Sequence, residues 1–220
     1  MIKNLVVLIF LPLFFLKPQN LYETIFYPNN FYESQYFGYF PVITDTIMLI
    51  SANQDDTNGN ASGSVYFYRK IDSNWTYNNQ IFPSDYQTLD FFGVPYLNNN
   101  FLYIGATGNR GGVYIFEYIF DRWVEIQKLV PDTLIYLSSY GISIQEFNNE
   151  LFIGASSDSR FVEASGAVYV YKKSNDGIWE RYQKMYPTIM KEFAHFGYKI
   201  ETNSKYNHLF ISAPEDSNDA

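Results

Sequence analysis

The chain has no cysteine and only two histidines, His195 and His208, in 220 residues. The first absence excludes disulfides, thiolate nucleophiles and cysteine-based zinc sites. The second leaves little for histidine-based catalysis, and neither histidine stands beside a nucleophile pattern. Positive charge is also scarce, with 15 Lys and Arg against 23 Asp and Glu and a net charge of −8. Nucleic-acid backbones and anionic membrane surfaces need a basic footprint, so both are excluded as partners. Long apolar runs are missing too. The longest, Leu5 to Leu16, is interrupted by Pro12 and is too short for a spanning helix, which needs about 20 residues. Following Lys3, it suits the h-region of a secretory signal peptide, so residues 1–20 are expected to direct the chain into the secretory route. The alternative is a buried first strand, against which the repeat described next begins only after this segment.

Aromatic residues are abundant, at 20% of the chain, and helix-favouring runs are few. This is the composition of strands. A fixed frame recurs within it. Pro28, Pro83, Pro131 and Pro187 are each followed nine residues later by an aromatic–glycine pair: Phe37-Gly38, Phe92-Gly93, Tyr140-Gly141 and Phe196-Gly197. Trp75, Trp123 and Trp179 stand eight residues before the last three of these prolines. A constant frame of this kind means one structural unit copied along the chain.

Each full unit parses into four short strands. The first follows the aromatic–glycine pair, and an Asn- or Asp-bearing turn follows it, as at Thr44-Asp45-Thr46, Asn98-Asn99-Asn100 and Asn148-Asn149. The second strand ends in a small pair: Ser51-Ala52, Gly105-Ala106, Gly154-Ala155 or Ser212-Ala213. Small residues there permit close backbone approach. The third reads Gly63 to Tyr68, Gly112 to Phe116 or Gly166 to Tyr171, apolar on both faces and therefore in need of cover on both. The fourth runs from the tryptophan to the proline, which fits an outer strand. Sheets of four antiparallel strands repeating every 48 to 56 residues predict an all-β fold of the β-propeller kind.

The ordered recurrence of Phe-Gly, then Gly-Ala or Ser-Ala-Pro (Ser212-Ala213-Pro214), then Gly-x-Val-Tyr-x-Tyr, then Trp, resembles the FG-GAP repeat. That repeat builds the N-terminal propeller of integrin α chains and of many other extracellular proteins. The resemblance covers residues 21–220 and places blades at about 37–83, 92–131 and 140–187, with a partial blade at 196–220. Residues 21–28 read as a lone fourth strand. An FG-GAP propeller normally has seven blades, so three and a half predict an incomplete ring with open edges. Missing blades from a longer chain, or self-association, would cover them.

Calcium-binding repeats of the family carry a D-x-[DN]-x-D-G loop between the first and second strands. The corresponding turns here lack its length and acidic density, so no calcium or other cofactor is expected. The nearest acidic loop, with Asp56 and Asn58 before Gly59, lies between strands two and three and has Gln54 in the first ligand position. Residues 105–112 imitate a phosphate-cradling glycine loop, but the segment that follows is a strand instead of the required helix. Paired carboxylates such as Asp55 with Asp56, or Glu215 with Asp216, read as solvated loop residues, and catalysis is not indicated. Asn60-Ala61-Ser62 and Asn74-Trp75-Thr76 match the glycosylation acceptor pattern.

In FG-GAP propellers the strand two-to-three loops and the four-to-one links share one face. The resemblance therefore implies a non-enzymatic, extracellular binding or adhesion module whose ligand, a protein or a glycan, meets these loops. Candidate residues on that face are Asp55, Tyr86, Asp90, Arg110, Tyr136, Asp158 and Arg160. The aromatic members have a competing role as packing between blades. Competing readings of the whole chain are a propeller that presents substrate to a catalytic domain outside it, or a degenerate fragment without activity.

Overall fold

The computed structural model describes residue 26 and residues 35–109, 111–131 and 138–216. The signal-peptide-like segment 1–20, most of the strand expected at 21–28, Arg110 and Tyr136 lie outside the described residues.

Every regular element among the described residues is a β-strand. Sheet I contains β1 (Phe37–Ile43), β2 (Ile47–Ala52), β3 (Ser64–Ile71) and β4 (Asn74–Ile81). Sheet II contains β5 (Phe92–Asn98), β6 (Phe101–Ala106), β7 (Gly112–Ile119) and β8 (Arg122–Leu129). Sheet III contains β9 (Tyr140–Phe147), β10 (Glu150–Ala155), β11 (Ala167–Lys173) and β12 (Trp179–Met185). Sheet IV pairs only β13 (Ile200–Asn203) with β14 (His208–Ile211). Within the sheets all pairings are antiparallel between sequence neighbours, and two isolated parallel bridges, Gly63 with Phe92 and Gly166 with Phe196, join one sheet to the next. Two-residue turns close several hairpins, with positive φ at both positions: Asp72-Ser73, Phe120-Asp121 and Asn148-Asn149. Such turns match the right-handed twist of the flanking strands.

The aromatic–glycine pair has a local cause. The N–H groups of Tyr39, Ile142 and Tyr198 donate to the carbonyls of Tyr36, Ser139 and His195 at 3.3, 3.1 and 3.1 Å. Gly38, Gly141 and Gly197, third in each turn, have φ of 90°, 90° and 89°. This is a type II turn, which needs positive φ at its third residue and so selects glycine. The aromatic before it points into the core: Phe37 and Tyr140 are buried, and Tyr140 stacks edge-on against Tyr169.

The small residues closing the second strands answer to these turns. A Cβ on Gly105 would collide with the backbone of Gly141, and one on Gly154 with the carbonyl of Gly197. Sheet II departs from the pattern, because Gly93 is not among the positive-φ residues. The preceding sheet departs with it: Ser51 stands where Gly105 and Gly154 stand, and its hydroxyl accepts a bond from the Phe40 N–H at 2.8 Å.

Each sheet packs face-on against the next. Leu49, Val65 and Phe67 of sheet I meet Leu102, Tyr114 and Trp123 of sheet II. Tyr103, Val113 and Ile115 of sheet II meet Ile153, Tyr169 and Trp179 of sheet III. Phe152, Val168 and Val170 of sheet III meet Ile200, Leu209 and Ile211 of sheet IV. The tryptophans therefore pack backwards, Trp123 at 6.0 Å from Phe67 and Trp179 at 6.5 Å from Tyr103. Burying one such ring, about 200 Å² at about 25 cal/mol per Å², contributes at most roughly 5 kcal/mol. The first strands run side by side, β1 against β5, β5 against β9 and β9 against β13, and line a cavity of about 480 Å³.

Candidate binding face

The loops between second and third strands lie against the links that enter the first strands, so the two sets form one face. Backbone bonds fix the loops of sheets I and III on two sides and the described part of the sheet II loop on one. Towards the loop's own sheet, the N–H groups of Gln54, Gly108 and Ser157 donate to the carbonyls of Gln35, Asp90 and Ser138, at 3.3, 2.9 and 3.0 Å. Towards the following sheet, Leu89, Phe91 and Phe92 donate to Asn60, Ala61 and Ser62 at 2.8, 3.1 and 3.0 Å. The same ladder recurs where Phe193, His195 and Phe196 donate to Glu163, Ala164 and Ser165 at 2.9, 3.0 and 3.0 Å.

A buried carboxylate locks the loops of sheets I and III from inside. Asp55 follows Ala52 by three residues and is fully buried. It accepts the Thr57 N–H at 2.7 Å, the Ser64 hydroxyl at 2.9 Å and the Gln80 amide at 2.5 Å. Asp158 follows Ala155 by three and accepts the Arg160 N–H at 3.1 Å, the Tyr169 hydroxyl at 3.3 Å and Lys184 Nζ at 2.6 Å. The loop of sheet II is too short to supply such a residue. Asp85, from the preceding link, takes the place and accepts Tyr114 Oη at 2.8 Å and Lys128 Nζ at 2.7 Å. Partial burial pushes the Asp85 carboxyl up, but hydrogen bonds from Lys128 and Tyr114 outweigh it and hold the group below its ordinary range. Burial, and then Asp85, push the Tyr114 phenol well above its ordinary value.

This arrangement corrects the sequence reading at several residues. Asp55 and Asp158 point inward as loop locks and are not solvated, because their oxygens satisfy backbone and side-chain donors that would otherwise be buried without partners. Asp90 is buried as well, and its carboxylate accepts the Gln87 N–H at 2.9 Å inside its own link. Tyr86 and Arg160 are exposed on the face. Asp56 is exposed but its Oδ1 accepts the Ala61 N–H at 2.6 Å, as the Ser159 hydroxyl accepts the Ala164 N–H at 2.9 Å. Asn58 is half-buried in the same loop, and Asn60 and Asn74 are exposed. The turns joining β5 to β6 and β9 to β10 are two residues long, which leaves no room for the six to eight oxygen ligands of a calcium ion.

The strand-four partners Gln80, Lys128 and Lys184 were not anticipated from sequence, yet each stands five residues after the unit's tryptophan. That offset is readable once the frame is known. The corner between sheets III and IV is apolar. Phe161 (63% exposed), Ile189 (70%) and Phe193 (46%) face solvent there. Phe161 rests edge-on against Tyr186 at 5.0 Å. Leu89, in the position equivalent to Phe193, is exposed beside sheet I. No protein-family model and no curated protein matches the chain.

Proposed function

We propose that the chain is a calcium-independent, non-enzymatic binding module. In this reading its sheets are FG-GAP-like propeller blades arranged as an open arc, and the ligand is an extracellular protein or glycan. The observation that carries it is the pairing of exposed apolar side chains with immobilised loops. Phe161 and Phe193 belong to segments whose backbones are hydrogen-bonded to one another. Exposed aromatic anchors on a rigid frame lose little entropy when they bind, and that suits recognition. The recurring locks at Asp55 and Asp158 supply the rigidity.

The test is to immobilise the purified full chain and screen it against an array of glycans and a panel of extracellular protein domains, with and without a calcium chelator. The expected result is saturable binding that the chelator leaves unchanged and that Phe161→Ser weakens. Binding that needs calcium, or that ignores substitutions at Phe161, Phe193 and Tyr86, would overturn the reading.

A further inference from the structure

The second strand of each sheet occupies the same register, so the surroundings of β14 can be compared with those of β2, β6 and β10. Each of those three strands pairs on one side with the first strand and on the other with a third, namely β3, β7 or β11. β14 pairs with β13, and among the described residues no strand pairs with its other edge. Ser212 N–H donates to the Lys199 carbonyl at 2.9 Å, and Ile200 stands opposite Ile211. The antiparallel alternation therefore turns the N–H and C=O groups of Leu209 and Ile211 towards the open edge.

Phe210 is equivalent to Leu49, Tyr103 and Phe152, which are buried under the sheet that follows theirs; no sheet covers Phe210 among the described residues, and it is 56% exposed. Leu209 and Ile211 are only partly buried against sheet III, while their equivalents Leu151 and Ile153 are fully buried against sheet II.

A further, independent feature is Asp216. It follows Ala213 by three residues, as Asp55 follows Ala52 and Asp158 follows Ala155. Its N–H donates to the Ala213 carbonyl at 3.2 Å, as those of Asp55 and Asp158 donate to Ala52 and Ala155 at 3.0 Å each. In sheet III the carboxylate at this position receives the hydroxyl of Tyr169 on the third strand. In sheet IV the carboxylate is in place, held by Lys191 at 2.9 Å.

We infer that the edge of β14 left unpaired among the described residues is a strand-addition site that accepts an extended protein segment of third-strand pattern. The occupant is defined by the three strands that fill the equivalent place: a small residue, then Val-Tyr-apolar-aromatic, as in Ala167-Val168-Tyr169-Val170-Tyr171. Its tyrosine lies opposite Ile211 and donates to Asp216. Its next residue lies beside Phe210, and its last aromatic opposite Leu209. Main-chain bonds give affinity, and the alternating side chains fix the register. The inference rests on the register of the four sheets and not on the loop face proposed above.

The experiment uses the full chain and a labelled synthetic peptide with the sequence of residues 165–173, followed by fluorescence anisotropy and amide hydrogen exchange. The expected result is saturable binding with new protection at the Leu209 and Ile211 amides. Exchanging the valine and tyrosine positions of the peptide turns its side chains to the wrong faces and should abolish binding. Asp216→Asn should weaken the Tyr169-bearing peptide about tenfold, the loss expected for one hydrogen bond to a carboxylate, and should leave a peptide with Phe at that position unaffected. Absence of binding, or binding without protection at Leu209 and Ile211, would overturn the inference. So would concentration-dependent protection of these amides without peptide, because β14 would then pair with its own copy.

Discussion

Lys184 Nζ lies 2.6 Å from Asp158 Oδ2, with the carboxylate 1% and the lysine 10% exposed. The lysine also sits over the Tyr169 ring, 4.3 Å from its centre. Removing one partner of a buried pair leaves an uncompensated charge, which costs about 3–5 kcal/mol. Lys184→Met should therefore lower the urea midpoint by an amount corresponding to that range. Lys184→Gln recreates the arrangement at Gln80 and Asp55, where a neutral amide suffices, and should cost clearly less. Equal losses in the two variants would show that the carboxylate locks are not interchangeable.

Asp85 gives the same device a pH dependence. Its folded carboxyl is held below its ordinary range, so its contribution is fully present above the unfolded value and is lost as pH falls through the folded one. Lys128→Met removes the strongest of the groups that lower it. The variant should then lose less stability than the parent between neutral pH and the acid limb, having less of this contribution to lose. Denaturant midpoints measured across that limb decide the matter. Parallel curves for the two proteins would count against Lys128 as the cause.

Much of this was legible in the sequence because the unit is copied. The proline-to-aromatic frame gave the strand order, and the Gly-Ala pairs at 105–106 and 154–155 marked the places where backbones touch. What could not be read was direction. Asp55 and Asp158 sit in polar loops and have the composition of solvated residues, but the loops fold back over their own sheets and carry the carboxylates inside. Asp85 was harder still, since it serves sheet II from the link that leaves sheet I, a contact 43 residues away from Lys128 in sequence.

The glycines separate contact from conformation. Gly154→Ala would drive a methyl group into the Gly197 carbonyl and the Ser143 hydroxyl, both part of the packed interface. Overpacking of this kind costs typically 1–3 kcal/mol. Gly177 has φ of 82° but nothing within 4 Å, so Gly177→Ala meets only backbone strain of about 1 kcal/mol. Thermal unfolding of the two variants should rank Gly154→Ala as the more damaging.

Tyr68 offers an alkaline counterpart. Burial, and then the neighbouring Tyr77, push its phenol from 10.0 up to about 12. The contribution of the neutral phenol is fully present below about pH 10 and is lost as pH rises through the folded value. Tyr68→Phe should therefore flatten the decline of stability between about pH 10 and 12. An unchanged slope would assign the alkaline transition to other tyrosines.

Phe161 and Trp179 provide the contrast between face and scaffold. Trp179 is buried against Tyr103, and its N–H and C=O groups are both bound by the Gln127 amide, at 2.9 and 2.8 Å. Truncating it to alanine should cost about 3–5 kcal/mol. Phe161 touches Tyr186 edge-on and is otherwise largely in water, so Phe161→Ser forfeits about 1 kcal/mol at most. If recognition belongs to the loop face, ligand binding should fall in the serine variant while its melting temperature stays close to the parent's. Trp179→Phe, which keeps most of the buried ring, should lower the melting temperature and leave affinity intact for the folded fraction. The opposite pattern, with affinity following stability in both variants, would place the ligand on the sheets instead of the loops.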